Sequence, residues 1–381
     1  QKVRDALDDA GFVPPGIQTG LTFTDIFPPF SPRPVQQQLI AVVKSPGVYV
    51  LEAPMGLGKT EAALYTAYQA ISENRATGIY FALPTQLTSN RMVERMDRFL
   101  ASILKPDCPH RQALLLHGNA WLRSTIGEEG KPGRSWFDGR KRGLLAPFAV
   151  GTIDQALMAA MCVRHGFVRT FGLAGKVVIL DEVHSYDSYT GTIIDHLVSV
   201  LRQIHCTVII LSATLTTNRR AAILQSPASA PDFTEAAYPL VSAFPNGNAF
   251  TAHHARAEER AQARVWISNE DESAIIEAIS RAEQGEQVLW LENTVDEAQK
   301  QFKVLGARAA GLDLECGLLH SRFLKTDRET NEEKWVGLFG KQGKAARAIK
   351  GRILIGTQVL EQSLDIDGDF LITRICPTDM L

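Results

Sequence analysis

Val48-Tyr49-Val50-Leu51-Glu52-Ala53-Pro54-Met55-Gly56-Leu57-Gly58-Lys59-Thr60 is the stretch that decides the fold. The apolar run Val48 to Leu51 reads as a buried strand. It breaks into a small-residue loop at Ala53 to Gly58 before helix-forming residues resume at Glu61. Strand, glycine loop, Lys-Thr and helix in that order are the parts of a phosphate-binding loop. Gly56 and Gly58 let backbone N–H groups turn inward on a phosphate, and the following helix adds the positive end of its dipole. Lys59 reaches the terminal phosphates and Thr60 holds Mg²⁺. The first position of the G-x-x-x-x-G-K-[ST] pattern is Ala53 here. Alone, the loop fits kinases, GTPases and many ATPases.

The chain around this loop has 381 residues, too many for one typical core, so two domains are expected. Lys+Arg 40 against Asp+Glu 42 gives a net charge of −2, so no global positive field advertises a nucleic-acid partner. Any such contact has to come from a local groove. Cys108, Cys162, Cys206, Cys316 and Cys376 are widely separated and form no C-x-x-C pair, which fits a reducing cytoplasm better than a disulfide framework or a zinc site. No apolar run approaches the roughly 18 residues that span a bilayer, and no signal-peptide pattern opens the chain. The expectation is a soluble protein without a membrane partner. The chain starts at Gln1 rather than Met, which reads as a piece of something longer.

Residues 1–34, rich in Pro and aromatics, read as an irregular lead-in. Residues 35–215 then alternate strands and helices, with strands at Ile79 to Leu83, Ala113 to Leu116, Ala149-Val150, Val177 to Leu180 and Val208 to Leu211. Each strand is a continuous apolar run, which argues for an α/β parallel sheet covered on both faces. Within it, 121–147 mixes Gly, Pro and charge and reads as a loop-rich insertion. Residues 216–263 shift to Ala, Pro, Asn and Ser and read as a connector. A second α/β alternation occupies 264–381, opening with an expected strand at Arg264 to Ile267. The architecture is α/β, two consecutive nucleotide-binding-type parallel sheets.

Asp181-Glu182-Val183-His184 directly follows the strand Val177 to Leu180, at the carboxyl edge where such sheets bind ligands. An acidic pair there complements a phosphate loop: Asp181 can hold Mg²⁺ through water, and Glu182 can orient and deprotonate the water attacking the terminal phosphoryl group. Ser212-Ala213-Thr214 ends the next apolar strand, a weak signal by itself. Trp136-Phe137 with Arg140-Lys141-Arg142 in the insertion reads equally as a DNA-stacking element or as a solvated basic loop. Asp195-His196 spells a metal-ligand dipeptide, but without companion ligands it reads as a helix-surface pair. His165, His253 and His254 are taken as structural or solvated, and the helix Asp327 to Phe339 as a packing helix.

Taken together, these motifs and Pro84-Thr85-Gln86, Gly151-Thr152-Ile153-Asp154-Gln155, His320-Ser321-Arg322-Phe323 and Gly356-Thr357-Gln358 to Asp365-Ile366-Asp367 resemble a superfamily 2 DExH helicase. Ala53 in the phosphate loop is familiar from helicases and translocases. More narrowly, the chain resembles the helicase region of the type I CRISPR-associated helicase-nuclease, closest to the subtype with a fused nuclease-helicase chain. The resemblance runs from about Pro32 onward. It implies two tandem RecA-like parallel-sheet domains, the second truncated at its C-terminus, with ATP and Mg²⁺ as cofactors, 3′ to 5′ movement on single-stranded DNA, recruitment to an RNA-guided CRISPR surveillance complex, a nuclease domain fused or separate, and a prokaryotic cytoplasmic location.

Residue by residue, the resemblance makes Gln36 the reader of adenine, and Lys59, Thr60, Asp181 and Glu182 the phosphate, metal and water positions. His184, Ser212 and Thr214 couple hydrolysis to movement, and Gln362 and Asp365 face the nucleotide from the second domain. Pro84, Thr85, Asn90, Gly151, Thr152 and Thr357 touch the DNA backbone, where hydroxyls and amides bind phosphates without reading sequence. The family's last motif, with arginines that complete the ATP site, would begin just after Leu381. On that reading this polypeptide binds ATP but hydrolyses it poorly. The family's nuclease constellation of His and Asp is also not matched. Rival readings are another superfamily 2 RNA helicase, a restriction-type translocase, or a helicase-like fragment that binds partners without turnover.

Overall fold

The structure, a computed structural model, describes residues 2–3, 13–108, 110–116, 142–161, 163, 166–183, 186, 188–225, 238–255, 264–340, 343, 347, 349–362 and 366–375. The chain divides into two compact units, Gln1–Arg260 and Ala261–Leu381.

The first unit holds β1 (Gly47–Glu52), β2 (Ile79–Leu83), β3 (Leu114–Leu116), β4 (Phe148–Thr152), β5 (Val177–Leu180), β6 (Thr207–Ser212), β7 (Leu240–Pro245) and β8 (Thr251–His254). They form one sheet in the order β3-β4-β2-β5-β6-β1-β7-β8. The strands β1 to β6 pair parallel, whereas β7 and β8 run antiparallel. The apolar runs are continuous because both faces are covered. Tyr49, Leu51, Val177, Ile179, Ile209 and Leu211 enter one core, and Val48, Val50, Val178, Leu180, Val208 and Ile210 enter the other. Helices α1 (Phe23–Ile26), α2 (Pro34–Val42), α3 (Lys59–Ser72), α4 (Gln86–Ile103), α5 (Ile153–Ala160), α6 (Gly166–Leu173), α7 (Ser188–Gln203) and α8 (Thr217–Leu224) belong to this unit. No helix among the described residues is long and apolar enough to cross a membrane.

Two segments differ from the sequence reading. The lead-in 1–34 contains α1, whose Phe23 and Ile26 are buried, and Phe27 stacks on Phe99 at 6.1 Å between centroids. Its aromatics need a surface to cover, and α3 and α4 supply it: the Tyr68 hydroxyl accepts from Leu21 N at 2.8 Å and lies 3.0 Å from the Gln18 carbonyl. The stretch 216–263, expected to be a connector, instead supplies α8, β7 and β8 to the first unit. Strand β7 zips onto β1 from Gly47↔Pro245 to Glu52↔Leu240, filling the edge that β1 would otherwise expose. Most of the expected insertion, including Trp136, Phe137, Arg140 and Lys141, lies outside the described residues, as does His165.

The second unit has β9 (Gln287–Leu291), β10 (Glu315–Leu319), β11 (Arg352–Gly356) and β12 (Phe370–Thr373), all parallel, in the order β10-β11-β9-β12. Its helices are α9 (Asp271–Glu283), α10 (Val295–Arg308), α11 (Lys325–Phe339) and α12 (Gln358–Gln362). Helix α11 is the packing helix expected: Trp335 and Phe339 are buried against β10 and β11. The approach is so close that a Cβ at Gly317 would lie 2.0 Å from the Trp335 ring. The strand expected at Arg264 to Ile267 is not formed. Val265, Trp266 and Ile267 are 83%, 66% and 90% exposed, because an apolar run becomes a strand only with a ladder, and no described strand pairs with it.

Candidate active site

Strand β1 is buried throughout and delivers the chain to the carboxyl edge of the sheet, where its direct neighbour β6 also ends. There Ala53 N donates to the Ser212 carbonyl at 3.2 Å. The loop then turns through Gly56 at φ 79° and Gly58 at φ 72°, both left-handed and suited to glycine. A Cβ at Gly58 would also lie 2.4 Å from Gln36 Nε2. Gln36, buried on α2, donates from Nε2 to the Gly58 carbonyl at 2.8 Å and accepts from Arg33 N at 2.7 Å. Arg33 Nη1 donates to the Gly56 carbonyl at 3.2 Å. Here the Arg33–Gln36 pair braces the loop from outside.

Helix α3 starts at Lys59, and Thr60 is its second residue. Lys59 is buried and its Nζ donates to the Ala53 carbonyl at 2.7 Å. Burial pushes the lysine pKa down, and the carboxylates of Glu182 and Asp181 pull it back up. Those acids follow β5 at the same carboxyl edge, with Asp181 N donating to the Ala82 carbonyl at 3.0 Å. Glu182 is left-handed at φ 54°, a strained conformation for a non-glycine residue, and its N–H donates to Asp181 Oδ1 at 3.0 Å. Burial, reinforced by the negative charge of Glu182, pushes the Asp181 carboxyl up to about 7, with Lys59 opposing. A carboxylate raised in this way gains from a nearby cation. The hydroxyl of Thr60 and the carboxylate of Asp181 are hard oxygen donors of the kind Mg²⁺ takes, and the ion would supply charge neutralisation at phosphate oxygens.

The remaining positions distribute along the strand ends. Ser212 ends β6, and its hydroxyl donates to the Thr214 carbonyl at 3.1 Å. Thr152 ends β4 beside Leu83 of β2 in register, and the Tyr80 hydroxyl donates to its carbonyl at 2.8 Å. Gly151 precedes it in β4. After β2 come Pro84 and Thr85, and the Thr85 hydroxyl caps α4 by accepting from Thr88 N at 3.2 Å; Asn90 lies one turn into that helix. The first unit thus brings Gln36, Gly56, Gly58, Lys59, Thr60, Asp181, Glu182, Ser212 and Thr214 to one sheet edge, with Pro84, Thr85, Gly151 and Thr152 at the ends of neighbouring strands. In the second unit Thr357 is buried just after β11, and Gln362 ends α12. His184 and Asp365 lie outside the described residues. Asp195, read as half of a surface pair on α7, is ion-paired to Arg219 at 2.7 Å.

Three side chains of this edge escaped the sequence reading: Glu52, Arg219 and Arg220. Glu52 ends β1 at 2% exposure and is held by Arg220 of α8 at 2.5 Å. The signal was available only as a charge inside an otherwise apolar strand.

A phosphate loop with a buried lysine, facing two carboxylates across the edge of a doubly covered parallel sheet, can bind a nucleoside triphosphate and orient water at its end. Residues 33–222 match the family model of the DEAD/DEAH box helicases, and residues 284–381 match that of the C-terminal part of the CRISPR-associated nuclease/helicase Cas3. The CRISPR-associated nuclease/helicase Cas3 of Streptococcus thermophilus is 35% identical over 92% of this chain and 40% of its own length. The chain resembles the Cas3 nuclease/helicases. Among solved structures, that of T. fusca Cas3-ATP superposes with a TM-score of 0.87 at 32% identity, covering 100% of this chain and 46% of the Cas3 chain. A chain of a solved CRISPR RNA-guided surveillance complex, pre-nicking, has a TM-score of 0.68 at 30% identity, covering 92% of this chain and 41% of that one. This chain therefore spans under half the length of the Cas3 proteins it matches, and it corresponds to their helicase region.

Proposed function

We propose that this chain is the ATP-driven motor of a Cas3 protein, moving 3′ to 5′ along single-stranded DNA and feeding it to a nuclease in CRISPR interference. The observation that carries the reading is the meeting of Lys59 with Asp181 and Glu182 at the edge where the phosphate loop begins. ATP phosphates would displace the Lys59 contact to the Ala53 carbonyl, Mg²⁺ would sit on Thr60 and Asp181, and Glu182 would orient the attacking water. Pro84, Thr85, Asn90, Gly151, Thr152 and Thr357 would meet a phosphate backbone through hydroxyl, amide and main-chain groups without a positive field, which reconciles DNA binding with a net charge of −2. The surveillance-complex relative supports recruitment to an RNA-guided assembly in the prokaryotic cytoplasm.

The test is substrate preference and polarity in the full-length protein. Single-stranded DNA is expected to stimulate ATP hydrolysis, RNA to do so weakly, and duplexes with a 3′ overhang to be unwound in preference to those with a 5′ overhang. Stimulation by RNA alone, or unwinding from the 5′ overhang, would overturn the assignment.

A further inference from the structure

Hydrolysis needs the phosphate loop and the acidic loop held at a fixed spacing, yet they leave two different strands, β1 and β5, with β6 between them. The amino end of α8 reaches towards both. Arg220 donates to Glu52 from Nε at 2.5 Å and from Nη2 at 2.9 Å, and Glu52 also accepts from Leu215 N at 2.9 Å. Glu52 immediately precedes the phosphate loop, and Leu215 immediately follows Ser212-Ala213-Thr214. The adjacent Arg219 points the other way. Its Nη1 donates to both carboxylate oxygens of Asp195 at 2.7 and 2.8 Å, and its Nη2 donates to the Gly191 carbonyl at 3.0 Å. Asp195 and Gly191 belong to α7, the helix that carries the chain out of the acidic loop.

Both pairs are largely withdrawn from water, with side-chain exposures of 12% and 3% for Arg220 and Glu52 and 24% and 26% for Arg219 and Asp195. Buried ion pairs are an inefficient source of stability, because desolvation offsets most of their attraction; what they do supply is fixed geometry. The bidentate fork of arginine adds direction as well as attraction.

We propose that Arg219 and Arg220 are positioning residues, a two-armed strut on α8 that sets the phosphate loop and the acidic loop at the spacing ATP hydrolysis requires. This rests on the motor reading above. The strut touches neither the phosphates nor the water, so its loss slows the chemical step and spares binding.

The experiment measures ATPase kcat and KM of the full-length protein with single-stranded DNA present for Arg219→Ala, Arg220→Ala and the double variant, normalised to the folded fraction from thermal unfolding. Each single variant is expected to lower kcat about tenfold while KM moves less than about twofold. The double variant is expected to be no worse than either single one, because a strut fails when either arm is cut. Arg220→Lys is expected to recover part of the lost kcat. Should the alanine variants not fold, Glu52→Gln and Asp195→Asn cut the same arms with no change in shape and are judged by the same criteria. An unchanged kcat per folded molecule, a loss confined to KM, or additive losses in the double variant would each overturn the proposal. A wild-type full-length protein without ATPase activity would overturn the motor reading itself, so the two failures are distinguishable.

Discussion

Strand β5 starts after one buried lysine and ends before a carboxylate that faces another, and the contrast separates structural charge from chemical charge. At the amino end Lys176 is 4% exposed and burial pushes its pKa down to about 7. Its Nζ donates to the Leu144 carbonyl at 2.7 Å and to the Ala146 carbonyl, both neutral backbone groups just ahead of β4. At the carboxyl end Asp181 is pushed up to about 7 and faces Lys59, 9% exposed on α3. The two lysines share burial and a carbonyl acceptor. Only Lys59 has carboxylates, a glycine loop and a helix N-terminus around it, groups placed to bind a polyphosphate. Lys176 ties a connection to the sheet, whereas Lys59 sits among the groups proposed to bind ATP.

The strongest way to break that contrast is to remove each amine. Lys59→Met is expected to reduce ATP hydrolysis by on the order of a thousandfold, because it deletes a cation from the charge-stabilising set around the transferred phosphoryl group. Lys176→Met is expected to leave kcat of the folded fraction within about twofold, since it lies at the opposite edge. Steady-state ATPase assays on both variants decide this, and equal losses would erase the distinction.

A smaller effect sharpens the Lys176 side. Its folded-state pKa is depressed below that of the unfolded chain, so its contribution to stability is fully present above the ordinary lysine range and is lost as pH falls through about 7. The stability of the wild type relative to Lys176→Met is therefore expected to climb between about pH 7 and 10, by no more than about 1.4 kcal/mol per pH unit. Chemical denaturation at a series of pH values measures it, and a flat difference would show that Lys176 titrates like a solvated amine.

Much of this was legible in the sequence where the physics is local. The continuous runs of β1, β2, β5, β6 and β11, the phosphate loop and the acidic pair each declare themselves within a dozen residues. Strand β7 did not, because Leu240 to Pro245 sits among Ala, Pro, Ser and Asn and becomes a strand only by pairing with β1. The run Val265-Trp266-Ile267 misled in the opposite direction, carrying strand composition without a ladder. Glu52 showed only as a charge at the end of an apolar strand, and its pairing with Arg220 was out of reach: the contact spans 168 residues, and no short pattern encodes a pair that distant. Sequence spacing finds the groups that touch a ligand more readily than the groups that hold those in place.

The central claim is that the acidic loop serves the phosphate loop in ATP hydrolysis, and Glu182→Gln tests it most directly in the full-length protein with single-stranded DNA present. The account predicts that the variant binds a non-hydrolysable ATP analogue within about threefold of wild type while turnover falls on the order of a hundredfold or more. Hydrolysis by Glu182→Gln at the wild-type rate would contradict it.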